Sequence, residues 1–173
     1  MFRYWLQGGR ISIGFLGGAQ IDKYANLNTT VVGDYNKPKV RLPGGGGAPE
    51  IATSCGEIFI IMAQGKRSFV EKIDFFTSIG HGSGGDSRQK LGIKTKGPTR
   101  LITDLAIYQP DPETKEMIVT SIHPGVTREQ IQENTGWTVR YAAQVAETPV
   151  PTAQELDILR ELQARTARAH AAA

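Results

Sequence analysis

Several residue types that would settle the chemistry at once are scarce in this chain. Among its 173 residues there is one cysteine, Cys55, and there are only three histidines. No intrachain disulfide can form, and no zinc site can be assembled from cysteines. His81, His123 and His170 share no metal-ligand spacing, so no metal is expected. No segment approaches the roughly 18 apolar residues of a membrane span, and the first ten residues lack the apolar core and cleavage site of a secretory leader. The composition thus reads as a cytoplasmic protein with no membrane role. A one-sided charge is missing too. Lys and Arg number 20 against 17 Asp and Glu, a net +3, and the cations are scattered rather than gathered in the stripe that nucleic acid requires. The small excess is compatible with an anionic small molecule without demanding one.

What is present reads as one mixed α/β domain over residues 1–173. Ile11 to Gly17 is a short apolar run closed by glycines, which predicts a buried strand, and Asn28 to Gly33 predicts another. Asp22 to Asn28 carries Asp and Asn placed to bond their own backbone and reverse the chain. Glu57 to Met62 reads as a fully buried strand. Residues 80–98 hold many glycines among polar and basic residues, which predicts a long exposed loop. Arg100 to Tyr108 and Met117 to Ile122 flank a polar, proline-containing turn and predict a hairpin. Thr127-Arg-Glu-Gln130 has capping-box spacing before Ile131, and Gly136 stands where a left-handed C-cap would fall. Thr152-Ala-Gln-Glu155 repeats the box ahead of Leu156, Leu159 and Leu162, a stripe expected to dock, with residues 164–173 expected to fray.

The candidate chemistry lies in glycine. Gly44, Gly45, Gly46 and Gly47 run consecutively into Ala48, and side-chain-free backbone lets N–H groups approach a phosphate or a developing oxyanion. The same four residues also fit a flexible linker. No Gly-Lys-Ser/Thr follows, which excludes a P-loop. Gln20 and Asn28 stand beside predicted strand ends, where α/β sheets place ligand crevices, and fit a pocket lining, while Asn26 and Asn28 equally fit turn-stabilising amides. His81 sits in the glycine-rich segment as a further candidate. Arg88, Lys90, Lys94 and Lys96 there read as solvated charge, or as contacts for phosphates or for a partner subunit. Glu71 and Asp74 read as facing solvent or pairing with Lys72 or Arg67.

Three linked motifs add a resemblance. Phe15-Leu-Gly-Gly-Ala-Gln-Ile-Asp22, Ala25-Asn-Leu-Asn28, and Gly44 to Ala48 with Glu50-Ile51 resemble, in order and spacing, the β subunits of class I CoA-transferases, nearest the glutaconate type. The likeness continues through Lys72 to Gly80, Leu101 to Asp104, His123 to Thr127 and Asn134 to Gly136. It implies a mainly parallel sheet with flanking helices, of the kind shared with sugar-phosphate isomerases and lacking N-terminal strands. It also implies coenzyme A as the acyl-CoA substrate, a carboxylic acid as acceptor, and an α-type partner subunit in a hetero-oligomer, or else a homo-oligomer covering an exposed sheet edge. In that family a glutamate attacks the thioester and a glutamyl-CoA intermediate follows, a ping-pong nucleophilic scheme. The resemblance makes the bend from Gly44 through Gly45 to Ala48 the oxyanion cradle, with Gly46 and Gly47 as its N–H donors; Gln20 and Asn28 by their strand ends, and His81 by its place in the glycine-rich loop, are expected around the substrate. The family's glutamate precedes the motif at Phe15, and none of Glu50, Glu57, Glu71 or Asp74 matches it. The isolated chain is therefore expected to be inactive, whether as a fragment, through a downstream start, or with strands supplied by another polypeptide. A CoA-thioester ring-opening hydrolase or decarboxylase, or a non-catalytic ligand-binding module, are the alternative expectations.

Overall fold

The computed structural model describes residues 2–171. After a π-helical turn at Phe2–Leu6, the chain forms β1 (Ile13–Leu16), β2 (Gln20–Ile21), β3 (Leu27–Asn28), β4 (Val31–Gly33) and β5 (Pro38–Arg41). Then come α1 (Ala48–Ser54), β6 (Glu57–Ile61), α2 (Ser87–Lys90), β7 (Pro98–Ile102), β8 (Ala106–Pro110) and β9 (Met117–Ile122). The last elements are α3 (Arg128–Glu133), β10 (Tyr141–Glu147) and α4 (Ala153–Ala171). Six strands make one sheet in the order β1-β6-β7-β8-β9-β10. The pairs β1/β6, β6/β7 and β9/β10 are parallel, while β7/β8 and β8/β9 are antiparallel. The mainly parallel α/β sheet is thus present, with few helices beside it.

Small side chains explain how α1 reaches the sheet. An added Cβ at Gly14 would stand 2.7 Å from Ile51 Cγ2 and 2.9 Å from Cys55 Sγ, so only glycine lets the helix lie this close to β1. The opposite face of β1 and β6 is open. Ile58 and Ile60 are buried, but Ile61 is 54% exposed and Phe15 63%, with Phe15 meeting Phe59 edge-on at 5.8 Å. The expected full burial of β6 is therefore corrected to alternation, one face covered and the other bare. The core lies under β6 to β9, where Leu101, Tyr108, Met117 and Val119 meet Ile131 and the stacked pair Phe69 and Trp137.

The capping box of α3 forms as expected. Thr127 Oγ1 accepts from Gln130 N, and Gln130 Oε1 accepts from Thr127 N. The helix ends at Asn134 rather than on a left-handed Gly136. Gly136 is needed for close approach instead, because a Cβ there would stand 2.6 Å from Phe69 O. The hairpin of β8 and β9 is also present, but the expected strand Arg100 to Tyr108 is two strands. Thr103 Oγ1 donates to Ala106 O and accepts from Leu105 N and Ala106 N, folding β7 back onto β8. The predicted strand Asn28 to Gly33 likewise splits, because Asn28 Oδ1 accepts from Thr30 N and Val31 N and breaks the ladder. The segment at 80–98 is an exposed loop only in part. It wraps buried His81 and Arg88 and contains α2. The leucine stripe of α4 does not dock: Leu159 and Leu162 are exposed and the helix buries no residue. Of the tail expected to fray, residues 164–171 are helical, and 172–173 lie outside the described residues.

Candidate active site

The carboxyl end of β1 runs directly into Gly17 and Gly18, and a cleft of about 360 Å³ opens there. Its walls are Gly17, Gly18 and Ala19 on one side and Thr29, Leu42, Pro43 and Gly44 on the other. Carboxyl ends of parallel strands are where α/β sheets bind ligands, since the chain must leave the sheet and frees its peptide groups. Among the wall residues, only Gly44 belongs to the expected site. Gly17 to Ala19 and Thr29 were not singled out as ligand-facing, although two glycines straight after an apolar strand run are the signal for such an exit.

The glycine bend is fixed at its start and free at its middle. Gly44, at φ +97°, donates its N–H to Thr29 O at 2.9 Å, and its carbonyl accepts from Thr29 Oγ1 at 2.9 Å. Gly46 follows at φ +50°, and Gly47 at φ −91° is the N-cap of α1, with no side chain capping the helix. Ala48 N donates to Gly45 O. Among the described residues, the N–H groups of Gly45, Gly46 and Gly47 donate to no protein acceptor. Successive unengaged N–H groups on a side-chain-free bend are an arrangement able to hold an anion.

Gln20 and Asn28 are buried behind the cleft, and their amides point inward. Asn28 Nδ2 donates to Gln20 Oε1 at 2.7 Å and to Val31 O at 2.6 Å. Gln20 Nε2 donates to Asp74 Oδ2 at 2.9 Å, and Asp74 N returns a bond to Gln20 Oε1 at 2.9 Å. Asp74 also accepts from Gly33 N, so it ties the small sheets together and does not pair with Lys72 or Arg67. Asn28 O accepts from Ala19 N, which sets one wall of the cleft. Asn26 is built in as firmly, its Oδ1 accepting from Gly80 N and Gly82 N.

No carboxylate of the described residues lines the cleft. Glu57 accepts from Thr99 Oγ1 at 2.7 Å, Glu50 accepts from Gln7, and Glu71 is exposed. His81 is remote from the bend, at the start of β7, where its Nε2–H donates to Pro98 O at 2.8 Å. Burial pulls its ring down to about 4, so it is neutral at pH 7. Arg88 is neither solvated nor a loop cation: it is 6% exposed and donates to Gly80 O, Ala52 O and Thr95. His123 hydrogen-bonds Thr103 O and Thr148, a packing role. A centre missed in the sequence is Gln64, a buried amide joining Tyr108 Oη, Thr135 Oγ1 and Thr103 Oγ1.

A family model for coenzyme A transferase matches residues 1–134. The chain is 64% identical over 170 residues to the B-type subunit of 3-oxoadipate CoA-transferase from Pseudomonas knackmussii, covering 98% of this chain and 65% of that protein. It is 41% identical over 150 residues to the B-type subunit of glutaconate CoA-transferase from Acidaminococcus fermentans, covering 86% and 56%. The crystal structure of glutaconate coenzyme A-transferase from the same bacterium superposes with a TM-score of 0.82 at 37% identity, over 92% of this chain and 61% of that one. The Rhodococcus jostii IpdAB structure shares the fold, with a TM-score of 0.79 at 24% identity over 92% and 63%. The chain thus spans between about half and two thirds of the length of these relatives. A glycine bend at the mouth of a parallel sheet and a family match across most of the residues that build it agree: this chain belongs to the coenzyme A transferase family.

Proposed function

We propose that this chain is the thioester-cradling part of a CoA-transferase B-type subunit, moving CoA between an acyl-CoA and a carboxylic acid. The observation that carries the reading is the run of free N–H groups at Gly45 to Gly47, at the end of the wall formed by Gly44. In this reading Gly46 and Gly47 donate to the thioester oxygen as negative charge develops on it, an interaction of about 3 kcal/mol per donor. Gly44, Gly45 and Ala48 hold the bend in shape, and Gln20 and Asn28 act from behind it by fixing the cleft wall. His81 takes no part in binding the acyl group, since it lies at the other end of the sheet.

In this reading the nucleophilic glutamate is supplied from outside residues 1–173, since no carboxylate of the described residues lines the cleft. An α-type subunit completes the site, and the bare face at Phe15 and Ile61 is consistent with a molecule that is covered when assembled. The 64% identical relative is named for 3-oxoadipate, and a dicarboxylic acid of that type is the acceptor we assign. The lone buried thiol fits a cytoplasmic setting.

The test is reconstitution of the parent B-type polypeptide containing this chain with an α-type subunit. The assay follows CoA transfer from succinyl-CoA to 3-oxoadipate. Parallel double-reciprocal lines and inactivation by borohydride only in the presence of acyl-CoA are expected, the marks of a covalent enzyme-CoA thioester. Release of free CoA without an acceptor acid would replace transfer by hydrolysis.

A further inference from the structure

A second cavity lies at the amino ends of β6 and β7, one strand length, about 15 Å, from the thioester cleft. It measures about 320 Å³, within the range of small-ligand sites, roughly 300–1,000 Å³. His81, Arg88, Lys94, Thr95, Lys96 and Lys115 line it, with no carboxylate among its wall residues.

Two buried groups in its wall are incomplete. Arg88 is sealed into the fold, and its partners Gly80 O, Ala52 O, Thr95 O and Thr95 Oγ1 are all neutral. These acceptors, of which Ala52 O belongs to α1, satisfy the guanidinium's hydrogen bonds, but no ion pair among the described residues neutralises its charge. A buried cation without a counter-charge is costly, and three lysines at the same opening raise the local potential further. His81 is 4% exposed, and its tautomer is fixed by its neighbour: Pro98 O can only accept, so Nε2 carries the proton and Nδ1 is a bare acceptor. Among the described residues Nδ1 has no partner, and it is not one of the sealed unpartnered atoms, which are Ser78 Oγ and Trp137 Nε1. His81 is itself one of the residues that line the cavity.

A cationic ring plus one inward-facing acceptor matches a ligand that carries several negative oxygens and one O–H. We propose that this cavity binds a phosphate monoester or diphosphate, with Lys94, Lys96 and Lys115 neutralising the charge and His81 Nδ1 accepting from a protonated phosphate oxygen or an adjoining hydroxyl. Occupancy of the site is read without turnover, so its failure is distinguishable from a failure of the proposed transfer reaction.

The experiment titrates the parent polypeptide with inorganic pyrophosphate by calorimetry at physiological ionic strength, with ¹⁵N-imidazole spectra in parallel. Saturable binding to one site and displacement of the His81 Nδ1 resonance are expected. Lys94→Gln and Lys96→Gln are each expected to weaken binding about tenfold, the loss of one charge-assisted hydrogen bond. Lys37→Gln, at an exposed position between β4 and β5 that is not among the cavity's wall residues, is expected to leave it unchanged. The rim variants remove exposed side chains, so the fold survives them. Competition by CoA would identify the phosphate as that of the thioester carrier, and its absence would identify a separate phosphate ligand. No saturable binding, or binding that Lys37→Gln weakens as much as Lys96→Gln, overturns the proposal.

Discussion

Replacing Gly46 by alanine isolates the role of the bend, because the structure separates strain from crowding at this position. Gly46 has φ +50°, and no atom lies within 4 Å of where a Cβ would stand. The new methyl group therefore meets nothing, and the whole effect is the left-handed backbone penalty, about 1–2 kcal/mol. Rotation of the bend toward φ < 0 relieves that penalty and carries the N–H groups of residues 46 and 47 off the cleft. If both donate to the thioester oxygen, kcat in the reconstituted enzyme falls about 10²–10³-fold, while denaturant stability falls by no more than about 1–2 kcal/mol. Gly46→Asn should recover much of the loss, since Asn tolerates the left-handed region. Gly47→Ala, at φ −91° and ψ 0°, should stay within a few-fold of wild type, because alanine adopts that conformation freely. Steady-state transfer rates together with urea denaturation distinguish these outcomes. Retention of kcat within about twofold in Gly46→Ala, alongside the expected stability loss, would show that these amides do not touch the reacting oxygen.

Gln64→Met should cost about 2–4 kcal/mol in urea denaturation, because it takes the amide donor from the buried Tyr108 hydroxyl and removes one of the two acceptors of Thr103 Oγ1. Adding Tyr108→Phe should recover part of that cost, and strictly additive losses would refute the network. His81 titrates at about 4 in the fold against an ordinary 6.5, so the unfolded chain takes up a proton first as pH falls. Stability from this ring is full above pH 6.5 and is lost between there and pH 4, by about 3 kcal/mol. Comparing wild type with His81→Gln at pH 7 and pH 4.5 cancels the carboxylates, and equal pH slopes would refute it; Arg88 and Lys115 are the cations that add to the burial effect. Thr127→Ala should lower global stability by about 1 kcal/mol, since α3 carries buried Ile131. Thr152→Ala should instead reduce helical circular dichroism without moving the denaturation midpoint, as α4 buries nothing.

Local chemistry was legible wherever a residue acts on its own neighbours. Thr127 and Gln130 cap each other across three positions, and Asp22 holds the turn by accepting from Tyr24 N and Asn26 N, so spacing alone identifies both. The glycine bend was legible as a candidate for the same reason: consecutive residues without Cβ have few other uses. The helix α1 was not, because no side chain caps it and a four-glycine run hides its start. Arg88 was read as surface charge because its acceptors are carbonyls, at Gly80, Ala52 and Thr95, and a main-chain acceptor leaves no mark in a sequence. Gln64 was invisible likewise, its partners lying 39 to 71 residues away. The leucines of α4 show the opposite limit: a stripe announces that a helix has an apolar side, not that this chain supplies something to meet it.

The seven residues of α1 span about 10 Å. One end carries the freely presented amides at Gly46 and Gly47, and the other is gripped through Ala52 O by Arg88. Two turns of helix stretch far less than the loops around them, so the element works as a tie-rod between opposite rims of the sheet. On the proposed reading, an arginine at one rim of the sheet thus helps to hold in place the hydrogen-bond donors at the other.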